Sequence, residues 1–241
     1  MEELYHGKGD LSMAIARYLA MIADEFAATP STSEPIAWMA CHFSPYSTSL
    51  SNLPEKLPAD SLLILNDSTP PGRQDPEIVF KTLENILKEH QCFGLLLDFQ
   101  RSNCPECQNI ARELVKLEFP VCVAESYAKN LDCPVFLPPL PLTIPLDEYI
   151  TPWKGRDIWL DTALNREQII ITKEGSITRS IANVPDCPHR DTQLHCHYNI
   201  AIADDSITFT LWRTKEDLDD LLAEAGTLGI AMSVGLYQEL K

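Results

Sequence analysis

Positive charge is what this chain has least of. Its 241 residues carry 19 Lys+Arg against 35 Asp+Glu, a formal net charge of −16. A protein that tracks a phosphate backbone needs a clustered basic face to displace counterions, so no nucleic-acid partner is expected. Long apolar runs are missing as well. None approaches the roughly 20 residues of a membrane-spanning helix, and no membrane partner is expected either. Met1-Glu2-Glu3 is acidic where a secretory leader would be basic, which gives a cytoplasmic expectation. In that compartment the eight Cys read as reduced thiols rather than a disulfide framework. The sequence has no internal repeat and no low-complexity tract. Around Gly7-Lys8-Gly9 both the spacing and the preceding buried strand of a Walker loop are absent, so this stretch reads as a flexible start and helix cap. No motif calls for a cofactor.

What is present is the composition of a globular domain, with 45% hydrophobic and 22% charged residues. In 11–27, Leu11, Ile15, Leu19 and Ile22 recur at three- and four-residue spacings behind Asp10, which predicts an amphipathic helix. Residues 1–30 are therefore expected to form an N-terminal helical extension, followed by the Pro-bounded linker ATPSTSEP. From 36 to 241 short apolar runs alternate with helical patterns. The predicted strands are 37–43, 62–65, 93–99, 121–124, 135–137, 157–160 and 229–234. Their continuous hydrophobicity suits strands covered on both faces. Helices are predicted over 75–90, 107–118 and 214–226, the last stopped by Gly226. Two hairpins are expected, turning at 173–176 and 203–206. Six prolines between 134 and 153 predict extended loop and short strand there.

Strand, crossover helix and strand in succession imply parallel pairing. The fold class expected is α/β: an irregular or incomplete (β/α) TIM-type barrel with β-hairpin insertions. Polar residues at the carboxyl ends of the strands would line its working face. These are His42 and Ser44, Asn66 and Asp67, Asp98 and Gln100, Glu125 and Ser126, Asp161, Trp212 and Arg213, and Tyr237 and Gln238.

The run Phe93-Gly94-Leu95-Leu96-Leu97-Asp98-Phe99-Gln100 behind a long helix resembles glycoside hydrolase family 18, the family of chitinases and spore-cortex lytic enzymes. So does the end of the chain, Ile207-Thr208-Phe209-Thr210-Leu211-Trp212 and Leu228-Gly229-Ile230-Ala231-Met232-Ser233. The family's fourth strand carries D-G-x-D-x-D-x-E. Aligning Gly94 and Asp98 with it puts Phe93 and Leu96 where carboxylates belong and Gln100 where the proton-donating glutamate belongs. The resemblance thus implies a non-hydrolytic relative, because an amide has no proton to give to a leaving oxygen. A small polar or glycan-like ligand is expected at the mouth, held by Asp67, Asp98, Gln100 and Glu125, with Trp212, Trp159 and Tyr237 as stacking surfaces for sugar rings. If hydrolysis survives, Asp98 or Glu125 is the candidate acid or base.

Leu95-Leu96-Leu97-Asp98-Phe99 followed by Cys104-Pro105-Glu106-Cys107 and a helix also resembles the active-site segment of thioredoxin-fold oxidoreductases. That reading makes Cys104 the attacking thiol and Cys107 the resolving one. Cys187, His189, His195, Cys196 and His197, together with Cys104 and Cys107, are of zinc-ligand type, but their spacing fits no standard zinc pattern, and no metal is expected. Within a strand His195 and His197 would share one face and Cys196 the other.

Overall fold

The computed structural model describes residues 15–28, 33–72, 74–181, 183–184 and 189–240. In chain order the strands are β1 (Ala16–Met21), β2 (Ile36–Phe43), the two-residue β3 (Leu50–Ser51), β4 (Leu62–Asn66), β5 (Gly94–Asp98), β6 (Val121–Ala124), β7 (Val135–Leu137) and β8 (Ile158–Thr162). Then come β9 (Arg166–Thr172), β10 (Ile177–Ser180), β11 (His189–Asp191), β12 (Cys196–Ile202), β13 (Ser206–Trp212) and β14 (Met232–Leu236). The helices are α1 (Ala23–Ala28), α2 (Pro76–Glu89), α3 (Pro105–Leu114), α4 (Glu125–Ala128), α5 (Leu146–Ile150), α6 (Lys215–Thr227) and α7 (Tyr237–Leu240). None of these is long and apolar enough to cross a membrane.

Eight parallel strands, β1, β2, β4, β5, β6, β7, β8 and β14, close into a ring in which β1 pairs with both β14 and β2. Strand side chains alternate between faces, and here one set fills the barrel while the other meets the helices. Tyr18, Ile64, Leu96, Cys122, Phe136 and Trp159 are among the inner set. The outer set packs against Leu83 of α2, Ile110 of α3, Leu146 of α5 and Leu221 of α6. With both faces covered, the strands need continuous apolar sequence, which is what they have.

The barrel is irregular in its outer layer and in β2, whose register against β4 shifts between Trp38 and Cys41. Between β6 and β7 the chain makes just the one-turn α4, and between β7 and β8 the five-residue α5 with a 3₁₀ turn, Thr151–Trp153. Between β8 and α6 an antiparallel sheet of order β10-β9-β13-β12-β11 is inserted. Both hairpin turns lie where the sequence puts them: Gly175 at φ 82° turns β9 into β10, and the Ala203 N–H donates to Ser206 O between β12 and β13.

The N-terminal expectation is corrected. Ala16–Met21 is a barrel strand, not part of a helix, and only Ala23–Ala28 is helical. Within it Tyr18, Leu19, Ala20 and Met21 are all buried, and so short a run buried on both faces carries no period that separates strand from helix. Residues 1–14 lie outside the described residues, as do 29–32 of the linker. Proline also misleads between 134 and 153: Pro145 is the N-cap of α5 and Pro152 is the second residue of the 3₁₀ turn, positions that lack an intrahelical N–H bond anyway. At the end of α6, Gly226 is buried inside the helix, and Gly229 at φ 85° makes the turn toward β14.

Candidate functional site

The carboxyl ends of the barrel strands surround a cavity of about 730 Å³. Its floor is apolar, built from Met39, Ile64, Leu96, Phe136 and Val234, and its polar lining includes Asp67, Asp98, Gln100, Arg101, Asp161 and Glu239. Asp98 and Asp161 reach it by strand parity, since each lies two residues beyond an inward core side chain, Leu96 and Trp159.

Asp67, directly after β4, is buried and organises the loop that follows β5. Its two carboxylate oxygens accept the backbone N–H groups of Gln100 and Arg101, each at 2.9 Å. The Arg101 guanidinium returns to the Asp67 and Ser68 carbonyls at 2.9 and 3.1 Å. The Tyr127 hydroxyl closes the loop from the other side by donating to Arg101 O. Gln100 is thereby aimed across the mouth, where its amide nitrogen donates to Asp98 Oδ1.

The mouth is electrostatically unbalanced. Burial raises the Asp98 carboxyl above its ordinary value, the Gln100 amide pulls it back, and Asp67 repels it. Burial pushes Asp161 up to about 7, with repulsion from Asp98 and Glu239 adding to the effect and the Thr162 backbone bond opposing it. A carboxyl poised there holds or releases a proton near neutrality, the property expected of an acid or base in a cleft.

Of the residues the sequence singles out, Asn66, Asp67, Asp98, Gln100 and Asp161 line the cavity together. Glu125 does not: β6 ends at Ala124 and the chain turns at once into α4, whose first residue it is. Its field falls on Tyr149, where burial first and then Glu125 and Asp161 raise the phenol. Trp212 is also corrected, since β13 belongs to the inserted sheet. It is 5% exposed and stacks on His197, with ring centroids 5.8 Å apart. Arg213 is buried there as a clamp on the Leu140, Leu194 and His195 carbonyls. Trp159 is barrel core. Tyr237 opens α7 just past β14 but is not part of the cavity lining. Asp161 was one strand end among many in the sequence, and Arg101 and Glu239 carried no signal there.

The dithiol is placed differently from a thioredoxin site, because its strand and helix are one unit of a closed barrel. The Cys104 sulfur accepts the Cys107 N–H and so caps α3. Cys107 is 0% exposed, and burial first, then Cys104 and Asp67, push its thiol up. His195 lies just before β12 with φ 46°, so strand parity does not relate it to His197, yet each meets a carboxylate of α6: Nε2 of His195 lies 2.5 Å from Glu224, and Nδ1 of His197 lies 2.7 Å from Asp217. Cys196 points the other way, toward Leu142 O. Cys187 is outside the described residues, among which no His, Cys, Asp and Glu cluster of metal-holding geometry occurs.

The fold and the cavity define the class: a TIM-type (β/α) barrel with an antiparallel insertion after its seventh strand. No family model matches the chain, and no curated protein matches it. Among solved structures it is similar to the chitinase-like agglutinin of Robinia pseudoacacia (11% identity, 93% of this chain and 94% of that one, TM-score 0.57). The class V chitinase of Nicotiana tobaccum is similar at 10% identity over 93% and 94% of the two chains (TM-score 0.57), and a glutamate-to-glutamine mutant of it is known in complex with NAG4. The spore cortex-lytic enzyme SleL of Bacillus cereus matches at 8% identity over 92% and 70%, with TM-score 0.55. At such identities what is shared is the barrel fold.

Proposed function

We propose that this chain is a distant relative of the glycoside hydrolase family 18 barrels that binds a small polar or glycan-like ligand at its mouth without cleaving it. The observation that carries this is Gln100. It follows the fourth barrel strand, lines the cavity and is locked to Asp98, at the position where the resemblance expects the proton donor. An amide can hydrogen-bond a sugar hydroxyl or glycosidic oxygen but cannot protonate one. The apolar floor suits the flat face of a sugar ring, and the carboxylates and amide above it suit hydroxyls. A chitinase-like protein that is an agglutinin, and a chitinase whose glutamine mutant is held with NAG4, support a barrel of this kind that retains a saccharide.

The test is a glycan array combined with turnover assays on chitin and peptidoglycan fragments. Binding without turnover is expected, and loss of that binding in Gln100→Ala. Turnover overturns the non-hydrolytic part, and the absence of any glycan binding overturns the ligand class. A second reading, acid catalysis, is favoured by one observation, the Asp161 carboxyl pushed up to about 7 beside Asp98. Under it Asp161 would hold the proton that Gln100 lacks, and turnover abolished by Asp161→Asn would select it.

A further inference from the structure

The dithiol at the head of α3 is connected to the mouth through a single buried carboxylate. Cys104 Sγ accepts the Cys107 N–H at 3.4 Å. The Cys107 sulfur lies 3.9 Å from Asp67 Oδ2 and donates its S–H there. That same oxygen accepts the Arg101 N–H, while its twin accepts that of Gln100. Cys104 is only partly buried, and in front of it lies a separate cavity of about 410 Å³ lined by Ser102, Asn103, Gln108 and Tyr127. One thiol is thus reachable from solvent. The other is sealed behind it and belongs to the network that sets the Gln100 loop.

We propose that Cys104 and Cys107 form a reversible intramolecular disulfide, with a small disulfide of the glutathione class as oxidant, and that its closure loosens the hold of Asp67 on Gln100 and Arg101. Cys104, the extended N-cap of α3, already turns its sulfur onto the Cys107 N–H, and a disulfide needs the two Cβ atoms about 3.5–4.5 Å apart. Closure therefore asks for an adjustment of the first turn of α3. Cys104, as thiolate, attacks one sulfur of the small disulfide, forms a mixed disulfide and expels one small thiolate. The Cys107 S–H proton passes to Asp67 Oδ2 and on to solvent. The Cys107 sulfur then attacks the Cys104 sulfur, and the second small thiolate leaves. Two cysteines lose two electrons, the small disulfide gains them as two thiols, and the two released protons end on those thiols. Cys107 then has no hydrogen to donate, so the bond that ties the Asp67 carboxylate to the first turn of α3 is gone, and the carboxylate is held only by the loop amides it is meant to fix. The consequence falls on the backbone of the loop, whatever the mouth binds.

The experiment uses the full chain, treated with oxidised glutathione and then followed by peptide mass mapping and amide hydrogen exchange. A Cys104–Cys107 link reversed by dithiothreitol is expected, together with exchange at the Gln100 and Arg101 amides faster by about tenfold or more. Cys107→Ser should stop at one glutathione retained on Cys104, and Cys104→Ser should show no oxidant-dependent change at either amide. Free thiols at both positions after treatment, a link to another cysteine, or a Cys104–Cys107 link with unchanged exchange overturns the proposal. So does an exchange response that persists in Cys104→Ser.

Discussion

Asp67 holds Gln100 by its backbone, with Oδ1 2.9 Å from the Gln100 nitrogen, and leaves the Gln100 side chain free to reach Asp98. The carboxylate is acceptor-only and spends both oxygens on two consecutive N–H groups, which an amide of the same shape cannot match. In Asp67→Asn one N–H of the loop must face an NH₂ or go unpaired. The cost expected for losing a hydrogen bond to a charged group and stranding its donor is about 1–3 kcal/mol. Urea unfolding measures it, and a stability equal to wild type would show that the loop has no need of the carboxylate.

Asp161 gives a pH dependence of definite sign. Burial, the largest cause, holds its folded pKa at about 7, against about 3.9 in an unfolded chain. Between these values the native state keeps a proton that the unfolded state has released. The slope of stability with pH follows the difference in bound protons, so this group lowers stability as pH rises through the window and is level above about 7. Asp161→Asn removes the effect. The variant should match wild type near pH 4 and exceed it at pH 8 by on the order of 2–4 kcal/mol. Parallel pH profiles for the two proteins would contradict this.

The barrel was legible where strands are short, apolar and bounded by turns. The runs 121–124 and 135–137 coincide with β6 and β7, and Asp98 and Gln100 follow from the rule that polar strand ends line the mouth. The first strand was not legible, because Leu11, Ile15, Leu19 and Ile22 fall at helical spacings as well. Trp212 was lost for a readable reason: Ile207, Phe209 and Leu211 alternate with Thr208 and Thr210, the pattern of a sheet covered on one face, which distinguishes β13 from the barrel strands. Asp161 was equally readable from its two-residue offset from Trp159. Arg101 and Glu239 were not, since a loop folding back on Asp67 and a one-turn helix after the last strand have no sequence period.

Gly94 has a structural reason to be glycine that is independent of any resemblance. A Cβ there would lie 2.5 Å from the Pro120 carbonyl oxygen, and that carbonyl accepts the Leu95 N–H at 2.9 Å. Two barrel strands would have to separate to admit a methyl group. Gly94→Ala should cost about 1–3 kcal/mol and shift the thermal midpoint down. An unchanged midpoint would show that β5 and β6 can part without penalty.

Asp217 is the opposite case from Asp161, a carboxyl whose proton is easier to lose in the fold. It is fully buried in the first turn of α6, and burial alone would raise it. Bonds from the Thr214 N–H and hydroxyl at 2.9 and 2.8 Å, from His197 at 2.7 Å and from Arg190 at 2.9 Å overcome that and hold it below the usual carboxylate range. Through these bonds the inserted sheet is fixed to α6, which packs on the barrel. A folded pKa below the unfolded one contributes stability that is complete above about pH 4 and is lost as pH falls through the depressed value. Asp217→Asn keeps the shape and removes the charge. Because Arg190 retains one-third of its exposure and so keeps some hydration, the expected loss at pH 7 is on the order of 2–4 kcal/mol rather than the full cost of a sealed pair. That loss should shrink on acidification below pH 4, where the wild-type carboxyl itself becomes protonated. A penalty for Asp217→Asn that stays constant down to pH 2 would mean that packing around α6, and not the charge, fixes the sheet.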